Sequence, residues 1–179
     1  MTGQRSLSIF GATGSIGLST LDLVRQHRDQ YRLVALTANG NAAELAKLAR
    51  EFKPDVAVVA DEGANGDLRD ALDGTGIKTA AGADALVEAA QMGADWTMAA
   101  IVGCAGLPST MAAIDAGKTV ALANKEALVS AGDLMMAAVE RSGATLLPVD
   151  SEHNAIFQCL AGGRIDQVRV FVHKDKAST

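Results

Sequence analysis

The sequence predicts an α/β fold with a doubly wound, mostly parallel sheet. Short runs rich in β-branched residues alternate with amphipathic segments rich in Ala and Leu, which is typical of repeated β-α units. Of the 179 residues, 49% are hydrophobic and only 3% are aromatic. Ala, Val, Leu and Ile must therefore build the core, as they do in parallel strands that helices cover on both faces.

Seven strands and the helices between them follow from this pattern. The clearest helix spans 42–52, where Leu45, Leu48, Ala49 and Phe52 fall on one face, after an N-cap at Asn41. We expect strands at 7–10, 32–37, 55–60, 77–80, 97–101, 119–122 and 145–149. The glycines that we expect in turns are Gly63, Gly66, Gly74 and Gly76, and those that we expect just past helices are Gly117 and Gly143.

The regular alternation stops near residue 149, which predicts a domain over 1–149 and a further segment over 150–179. We expect a short helix at 153–160, a strand at 167–172 and a polar, frayed tail.

Charge and cysteine content exclude several classes of protein. The net charge is −5 and the 16 Lys and Arg are scattered, so we expect no nucleic-acid partner. Cys104 and Cys159 lie far apart and without metal-ligand spacing, which predicts reduced core thiols. The sequence shows neither a secretory segment nor a membrane span, and we expect a cytoplasmic protein with no membrane partner.

A glycine loop, Gly11-Ala12-Thr13-Gly14-Ser15-Ile16-Gly17, joins the first strand to the first helix. Such a loop lets backbone approach a pyrophosphate, which the N–H groups and dipole of the helix N-terminus then bind. The alternative is a tight turn that binds nothing. The position at the start of a β-α-β series favours a Rossmann-like domain that binds a nicotinamide dinucleotide.

The loop after the second strand bears on which dinucleotide binds. Enzymes that prefer NAD commonly place Asp or Glu there, to hold the ribose 2′-hydroxyl. This chain has Thr37-Ala38-Asn39-Gly40-Asn41 instead. Because this loop holds no carboxylate to repel a 2′-phosphate, NADP is favoured. The loop holds no cation either, although Lys47 or Arg50 on the following helix could reach the phosphate.

Two further strands end in small or polar residues, at the sheet edge where open α/β sheets bind ligands. Gly103-Cys104-Ala105-Gly106 follows one strand and is equally consistent with a simple turn. Asn124-Lys125-Glu126 follows the next. Glu126 is explained by a helix start, but Lys125 is not.

The last strand of the domain runs into Asp150-Ser151-Glu152-His153. Asp150 and Glu152 offer hard oxygen ligands that suit Mg²⁺ or Mn²⁺ rather than zinc. The alternative is an N-cap, from Asp150 or Ser151, with Glu152 in the first helical turn. We expect His153 to be a surface residue at a helix start.

Taken together, these blocks resemble the 1-deoxy-D-xylulose 5-phosphate reductoisomerase family. The resemblance depends on the glycine loop, on Ala121-Leu122-Ala123-Asn124-Lys125-Glu126-Ala127-Leu128-Val129, and above all on Leu146-Leu147-Pro148-Val149-Asp150-Ser151-Glu152-His153-Asn154-Ala155-Ile156-Phe157-Gln158. Many dehydrogenases share the glycine loop, whereas the other two blocks in this order are highly specific.

The resemblance implies an NADPH-dependent oxidoreductase of isoprenoid biosynthesis, a homodimer whose catalytic domain of α+β type begins near residue 150. The family uses a divalent metal to rearrange 1-deoxy-D-xylulose 5-phosphate, a small sugar phosphate, and then reduces the product to 2-C-methyl-D-erythritol 4-phosphate. The implied site residues are Asp150 and Glu152 for metal, Lys125 and Glu152 for catalysis, Lys125, Ser151 and Glu152 for substrate, and Gly11, Thr13, Gly14, Ser15, Ile16, Gly17, Asn39, Gly40, Asn41, Asn124 and Glu126 for the cofactor.

Two departures from the family pattern qualify this picture. The family often has a basic residue in the loop that corresponds to Asn39–Asn41, whereas this loop has none. The family's sequence also continues beyond the last predicted strand into segments that these 179 residues do not contain. We therefore expect weak metal binding and no measurable turnover by these 179 residues alone. The competing hypotheses are a module that binds cofactor without catalysis and another two-domain dehydrogenase, against which Asp150-Ser151-Glu152-His153-Asn154 argues.

Overall fold

Strands and helices alternate along residues 3–149, the part of the chain that this computed structural model describes. The strands are β1 (Arg5–Phe10), β2 (Tyr31–Ala38), β3 (Val56–Val59), β4 (Lys78–Ala81), β5 (Trp96–Ala99), β6 (Thr119–Leu122) and β7 (Thr145–Pro148). The helices are α1 (Ser15–Gln26), α2 (Ala42–Phe52), α3 (Asn65–Leu72), α4 (Ala83–Gln91), α5 (Leu107–Asp115) and α6 (Lys125–Ser142). Short 3₁₀ turns at Glu62–Ala64 and Cys104–Gly106 precede α3 and α5.

These bounds confirm the predicted elements to within two residues. Helix α2 has the predicted ends, because the Asn41 side chain accepts a hydrogen bond from the Glu44 N–H at 3.1 Å and Lys53 adopts a left-handed conformation. Gly143 ends α6 in the same conformation. The prediction for Gly66 is wrong, since this glycine lies inside α3, where α2–α3 packing outweighs its low helix propensity.

All seven strands are parallel and lie in the order β4-β3-β2-β1-β5-β6-β7. The chain builds the sheet outward from β1 to one side, then returns through β5 to build the other side. The order reverses between β1 and β5, so a crevice opens there at the carboxyl ends of the strands. This is the Rossmann-like architecture that the sequence predicts.

Apolar side chains on alternate strand positions supply a core to each face of the sheet. In β3, Ala57 and Val59 face the side covered by α1, α2 and α3, while Val56 and Val58 face α4, α5 and α6. Successive side chains in a strand point to opposite faces. A strand buried on both faces is therefore apolar at every position, as β3 is.

Several sequence predictions concern residues 150–179, which lie outside the described residues. These are the boundary at 149/150, the helix at 153–160, the strand at 167–172, Cys159 and the polar tail, and they stay predictions. Within residues 3–149, none of the helices has the length and apolar character that crossing a membrane would require.

Strands β1 and β5 flank the crevice with their carboxyl ends. At their opposite, amino ends they are joined by hydrogen bonds between Ser6 and Asp95. The Ser6 backbone N–H and hydroxyl both donate to Asp95 Oδ2, at 2.9 and 2.8 Å. The Asp95 N–H donates back to Ser6 Oγ at 2.8 Å. The hydrogen bond from the Ser6 backbone N–H, reinforced by its hydroxyl, holds the pKa of Asp95 below its ordinary value.

We predict that Asp95→Asn lowers the thermal midpoint at neutral pH, because the charged acceptor of two hydrogen bonds is lost. A lowered folded-state pKa stabilises the fold above the unfolded-state pKa of about 3.9 and loses that effect as the pH falls through the folded-state value. Melting curves from pH 7 to pH 3 should therefore show wild type and variant converging at low pH. Asp133→Asn, on exposed α6 surface, is the control. A gap independent of pH would contradict the account.

Candidate cofactor-binding site

The glycine loop lies at the crevice between β1 and β5, and hydrogen bonds to both sides hold it there. The Gly11 N–H donates to Thr37 Oγ1 at 3.1 Å and the Ala12 N–H donates to the Thr37 carbonyl at 2.7 Å. On the other side, the Ala100 N–H donates to the Phe10 carbonyl at 2.9 Å. The loop is therefore fixed relative to the ends of β2 and β5.

The three glycines of this loop have different roles. Gly11 has a φ of +87°, and a Cβ there would lie 2.7 Å from the Ala100 carbonyl oxygen. A Cβ on Gly17 would lie 2.3 Å from the Gly11 carbonyl oxygen and 2.6 Å from the Ala12 Cα. By contrast, Gly14 has a φ of −82°, and its Cβ would meet only the Gly11 carbonyl oxygen, at 3.4 Å. Packing therefore requires glycine at positions 11 and 17, whereas no contact within the protein explains why residue 14 is a glycine.

Backbone donors without partners follow Gly14 in the first turn of α1, whereas the Gly14 N–H itself donates to the Gly11 carbonyl at 3.1 Å. Helix α1 begins at Ser15, and no side chain caps its N-terminus. The first helical N–H with a partner is that of Leu18, which donates to the Gly14 carbonyl at 2.9 Å. Among the described residues, the N–H groups of Ser15, Ile16 and Gly17 therefore have no acceptor. The first turn also carries no acidic side chain, so this helix end is suited to an anion.

The loop Asn39–Asn41 is exposed at the end of β2, beside the glycine loop. In a Rossmann-like domain this position faces the adenosine ribose. The Asn41 side chain is engaged as the cap of α2, whereas Asn39 and Gly40 are open to a ligand. The predicted place of this loop at the site is thus consistent with the geometry.

The expectation that this loop lacks a carboxylate holds for its own residues but not for its surroundings. Asp61, which follows β3, lies beside Gly40, where a Cβ would be 3.3 Å from Asp61 Oδ2. Sequence reasoning missed Asp61. The sequence does show that Asp61 is a polar residue directly after a buried strand. Only the strand order, however, places Asp61 next to the end of β2.

The suggestion that Arg50 reaches a 2′-phosphate is wrong. Its guanidinium donates to the Ala71 carbonyl and lines a groove of about 720 Å³ with Lys53 and Lys78. That groove lies at the amino ends of β3 and β4, the opposite end of the sheet from the Asn39–Asn41 loop. Lys47 is exposed, and its Nζ lies 3.6 Å from Glu44 Oε1.

Asn124 is almost fully buried, at 1% exposure, and its side chain connects two segments of the site. Its Nδ2 donates to the carbonyls of Ile101 and Gly103, both at 2.8 Å. Its Oδ1 accepts from the Ala127 N–H at 3.0 Å and caps α6. Both amide protons are thus used inside the protein. The side chain supports the loop after β5, and a cofactor contact must use its backbone or the remaining lone pair of Oδ1.

Lys125 and Glu126 lie exposed in the first turn of α6, directly after this support. Neither forms an ion pair with a described residue. Helix α6 is kinked at Ala131, where φ is −138° and ψ is 23°. The short first part of the helix thus presents an unpaired cation at the carboxyl edge of the sheet, where an anionic substrate group could bind.

The loop after β5 is built around close packing. Gly106 is buried, and a Cβ there would lie 2.7 Å from the Ile101 carbonyl oxygen. The prediction that Cys104 is a core thiol is wrong, because this cysteine is exposed. Its position in a short turn at the carboxyl edge, outside the strand, explains the exposure.

The predicted metal and substrate residues Asp150, Ser151 and Glu152, together with His153, lie outside the described residues. The chain reaches them from β7, and the Val149 N–H donates to the Leu122 carbonyl at 3.0 Å. Residue 149 is therefore next to the end of β6, where Asn124 and Lys125 follow. Within residues 3–149, His, Cys, Asp and Glu form no group of three that could hold a metal ion.

We predict that Gly14→Val weakens dinucleotide binding at least tenfold while the fold survives, because the new side chain enters only the space over the helix N-terminus. Gly17→Ala is the matched control. Its Cβ meets backbone, and we expect it to destabilise the fold by about 2 kcal/mol or more. Fluorescence titration with the dinucleotide and urea unfolding separate the two effects. Global unfolding of Gly14→Val would show that glycine at position 14 is needed for folding rather than for dinucleotide binding.

We also predict that Asn124→Asp destabilises the fold by about 1–3 kcal/mol, because a carboxylate would face two carbonyl oxygens that lose their donors. Asn41→Asp makes the same chemical change at a cap where the side chain only accepts, so its effect should stay within about 0.5 kcal/mol. Urea unfolding at pH 7 measures both. Equal effects would contradict the supporting role of Asn124.

Comparison with known proteins identifies the family. The family model for 1-deoxy-D-xylulose 5-phosphate reductoisomerase matches residues 7–132. Curated relatives with that name are 60% identical in Zymomonas mobilis and 56% identical in a Bradyrhizobium species, each over 169 residues and 94% of this chain. They are matched over 44% and 42% of their own length. The chain thus spans about two-fifths of the length of these relatives.

Solved structures agree with this assignment. The enzyme from Zymomonas mobilis in complex with NADPH is 63% identical, with a TM-score of 0.86 over 87% of this chain and 41% of that one. A reductoisomerase in complex with NADPH, fosmidomycin and magnesium is 47% identical, with a TM-score of 0.82 over 87% and 38% of the two chains. The alternative of another two-domain dehydrogenase is therefore excluded, and the chain belongs to the 1-deoxy-D-xylulose 5-phosphate reductoisomerase family.

Proposed function

We propose that this chain forms the cofactor-binding part of a reductoisomerase that converts 1-deoxy-D-xylulose 5-phosphate to 2-C-methyl-D-erythritol 4-phosphate with NADPH and a divalent metal. One observation carries the proposal. The N–H groups of Ser15 and Ile16 have no partner among the described residues, and they lie over the crevice at Gly14, where the protein itself does not require a glycine.

The residues around this crevice fit a nicotinamide dinucleotide. Ser15 and Ile16 would hold the pyrophosphate through backbone N–H groups, and Thr13 and Gly14 would lie against it, with the Gly14 N–H itself donating to the Gly11 carbonyl at 3.1 Å. Asn39 to Asn41 would lie under the adenosine ribose. Asn124 and Glu126, at the other side of the crevice, would lie toward the nicotinamide. NADPH would supply a hydride. The complexes of two relatives with NADPH support this choice of cofactor.

Substrate binding is proposed for the carboxyl edge beyond the crevice. Lys125 is an exposed cation with no ion pair in the described part of the chain, which suits the phosphate or an oxyanion of a sugar phosphate. The resemblance assigns Asp150 and Glu152 to Mg²⁺ or Mn²⁺, as Lewis acid and template, and Ser151 to the substrate. A relative in complex with magnesium supports a metal requirement.

A homodimeric assembly and a cytoplasmic location are part of the same proposal. The family resemblance implies the homodimer, and gel filtration with light scattering would measure it. The cytoplasmic location is the expectation drawn from the cysteines and from the sequence pattern.

A second candidate function is a module that binds NADPH without catalysis. The observation that favours it is that the features described within residues 3–149, the partner-free N–H groups at the start of α1 and the open loop Asn39–Asn41, both concern the cofactor. Oxidation of NADPH with deoxyxylulose phosphate and Mg²⁺, measured on this chain and on a version extended to the length of its relatives, distinguishes the two candidates. Turnover by either supports the reductoisomerase, whereas cofactor binding without turnover by the extended version supports the module.

We predict that NADPH binds this chain more tightly than NADH, as measured by fluorescence titration of each. The sequence of Asn39–Asn41 supplies no carboxylate of its own, and the relatives solved with a cofactor contain NADPH. Equal or tighter binding of NADH would remove the NADP preference. No binding of either would contradict the proposed function.

The metal pair can be tested separately from the cofactor. In a version of the chain extended to the length of its relatives, we expect Asp150→Asn and Glu152→Gln each to abolish most activity at ordinary Mg²⁺ and to lower Mg²⁺ affinity by tenfold or more, because Mg²⁺ relies on few protein carboxylates. NADPH affinity should stay within about twofold, since the pair would lie on the substrate side of the nicotinamide. Calorimetric titrations measure both affinities. Unchanged Mg²⁺ affinity would contradict the metal site and favour the alternative interpretation of Asp150 as a helix N-cap.

A further inference from the structure

The strand order brings a carboxylate to the adenosine end of the proposed site. Strand β3 neighbours β2, and backbone hydrogen bonds continue past both strands. The Ala60 N–H donates to the Ala38 carbonyl at 2.9 Å, and the Asp61 N–H donates to the Asn39 carbonyl at 3.0 Å. These contacts fix Asp61 next to the Asn39–Asn41 loop.

The two oxygens of Asp61 have different surroundings. Oδ1 accepts from the Gly63 N–H at 2.9 Å and so caps the short turn after β3. Oδ2 faces Gly40, where a Cβ would lie 3.3 Å away. Asp61 is exposed and forms no ion pair with a described residue. One oxygen is thus committed to the fold, and the other faces the loop with its charge uncompensated.

We propose that Asp61 is a specificity-determining residue that weakens discrimination against the unphosphorylated cofactor. This inference rests on the proposed function, because it needs the adenosine ribose to lie over Asn39–Asn41. A carboxylate there can accept a hydrogen bond from a ribose hydroxyl but repels a 2′-phosphate. The role that many NAD enzymes give to an acidic residue after β2 is filled here from the end of β3.

Nearby cations do not cancel this charge in the described part of the chain. Lys47 lies next to Glu44, and Arg50 lies at the opposite end of the sheet. The Asn39–Asn41 loop itself contains no cation. Asp61 therefore places a full negative charge beside this loop, with Oδ2 facing Gly40.

The test is Asp61→Asn, because asparagine keeps an oxygen to accept from the Gly63 N–H and removes only the charge. Titration of the 179-residue chain with NADPH and with NADH at low salt should show the affinity ratio in favour of NADPH rising about three- to tenfold. The rise should come mainly from tighter NADPH binding. It should shrink at 0.5 M salt, because exposed charges are screened.

Asp29→Asn is the matched control. Asp29 is an exposed carboxylate just before β2, at the amino end of the strand whose carboxyl end carries the loop. The same change of net charge there should leave the ratio unaltered. A ratio unchanged in Asp61→Asn while wild type binds NADPH overturns this inference alone. Failure of wild type to bind either cofactor overturns the inference together with the proposed function.

Discussion

The close backbone packing of the glycine loop against β5 is the constraint on which the site depends. Gly11 lies against the Ala100 carbonyl, and Gly17 lies against Gly11 and Ala12, at distances that leave no room for a Cβ. This packing places the start of α1 at the crevice between β1 and β5. Unpaired N–H groups and the positive helix end therefore face the one point where the strand order reverses.

The other half of the site depends on a comparable support. The buried side chain of Asn124 holds the loop after β5 and the start of α6 together with three hydrogen bonds. Buried amides satisfied in this way hold one arrangement, because any other would leave polar groups unpaired. Lys125 is thereby presented at the same sheet edge as the glycine loop, although more than a hundred residues separate them in sequence.

Much of the fold could be predicted from sequence because local signals agree with the tertiary structure. Helix α2 has an apolar stripe, a cap at Asn41 and Pro54 beyond its end, and its bounds were predicted to the residue. Contacts between strand ends could not be predicted in the same way. Asp61 lies beside Gly40 only because β3 neighbours β2, and the burial of Asn124 depends on carbonyls 21 and 23 residues away. Cys104 is likewise exposed because it lies in the turn at the carboxyl edge of the sheet. Its apolar neighbours in the sequence do not indicate this exposure.

The most direct test of the account is the perturbation of backbone amide resonances by NADPH. If the helix N-terminus binds the pyrophosphate, the largest shifts should occur at Thr13, Gly14, Ser15 and Ile16, with smaller shifts at Asn39 and Gly40. The groove lined by Arg50, Lys53 and Lys78 at the other end of the sheet should remain unaffected. Shifts concentrated in that groove, with the glycine loop unchanged, would contradict the central claim.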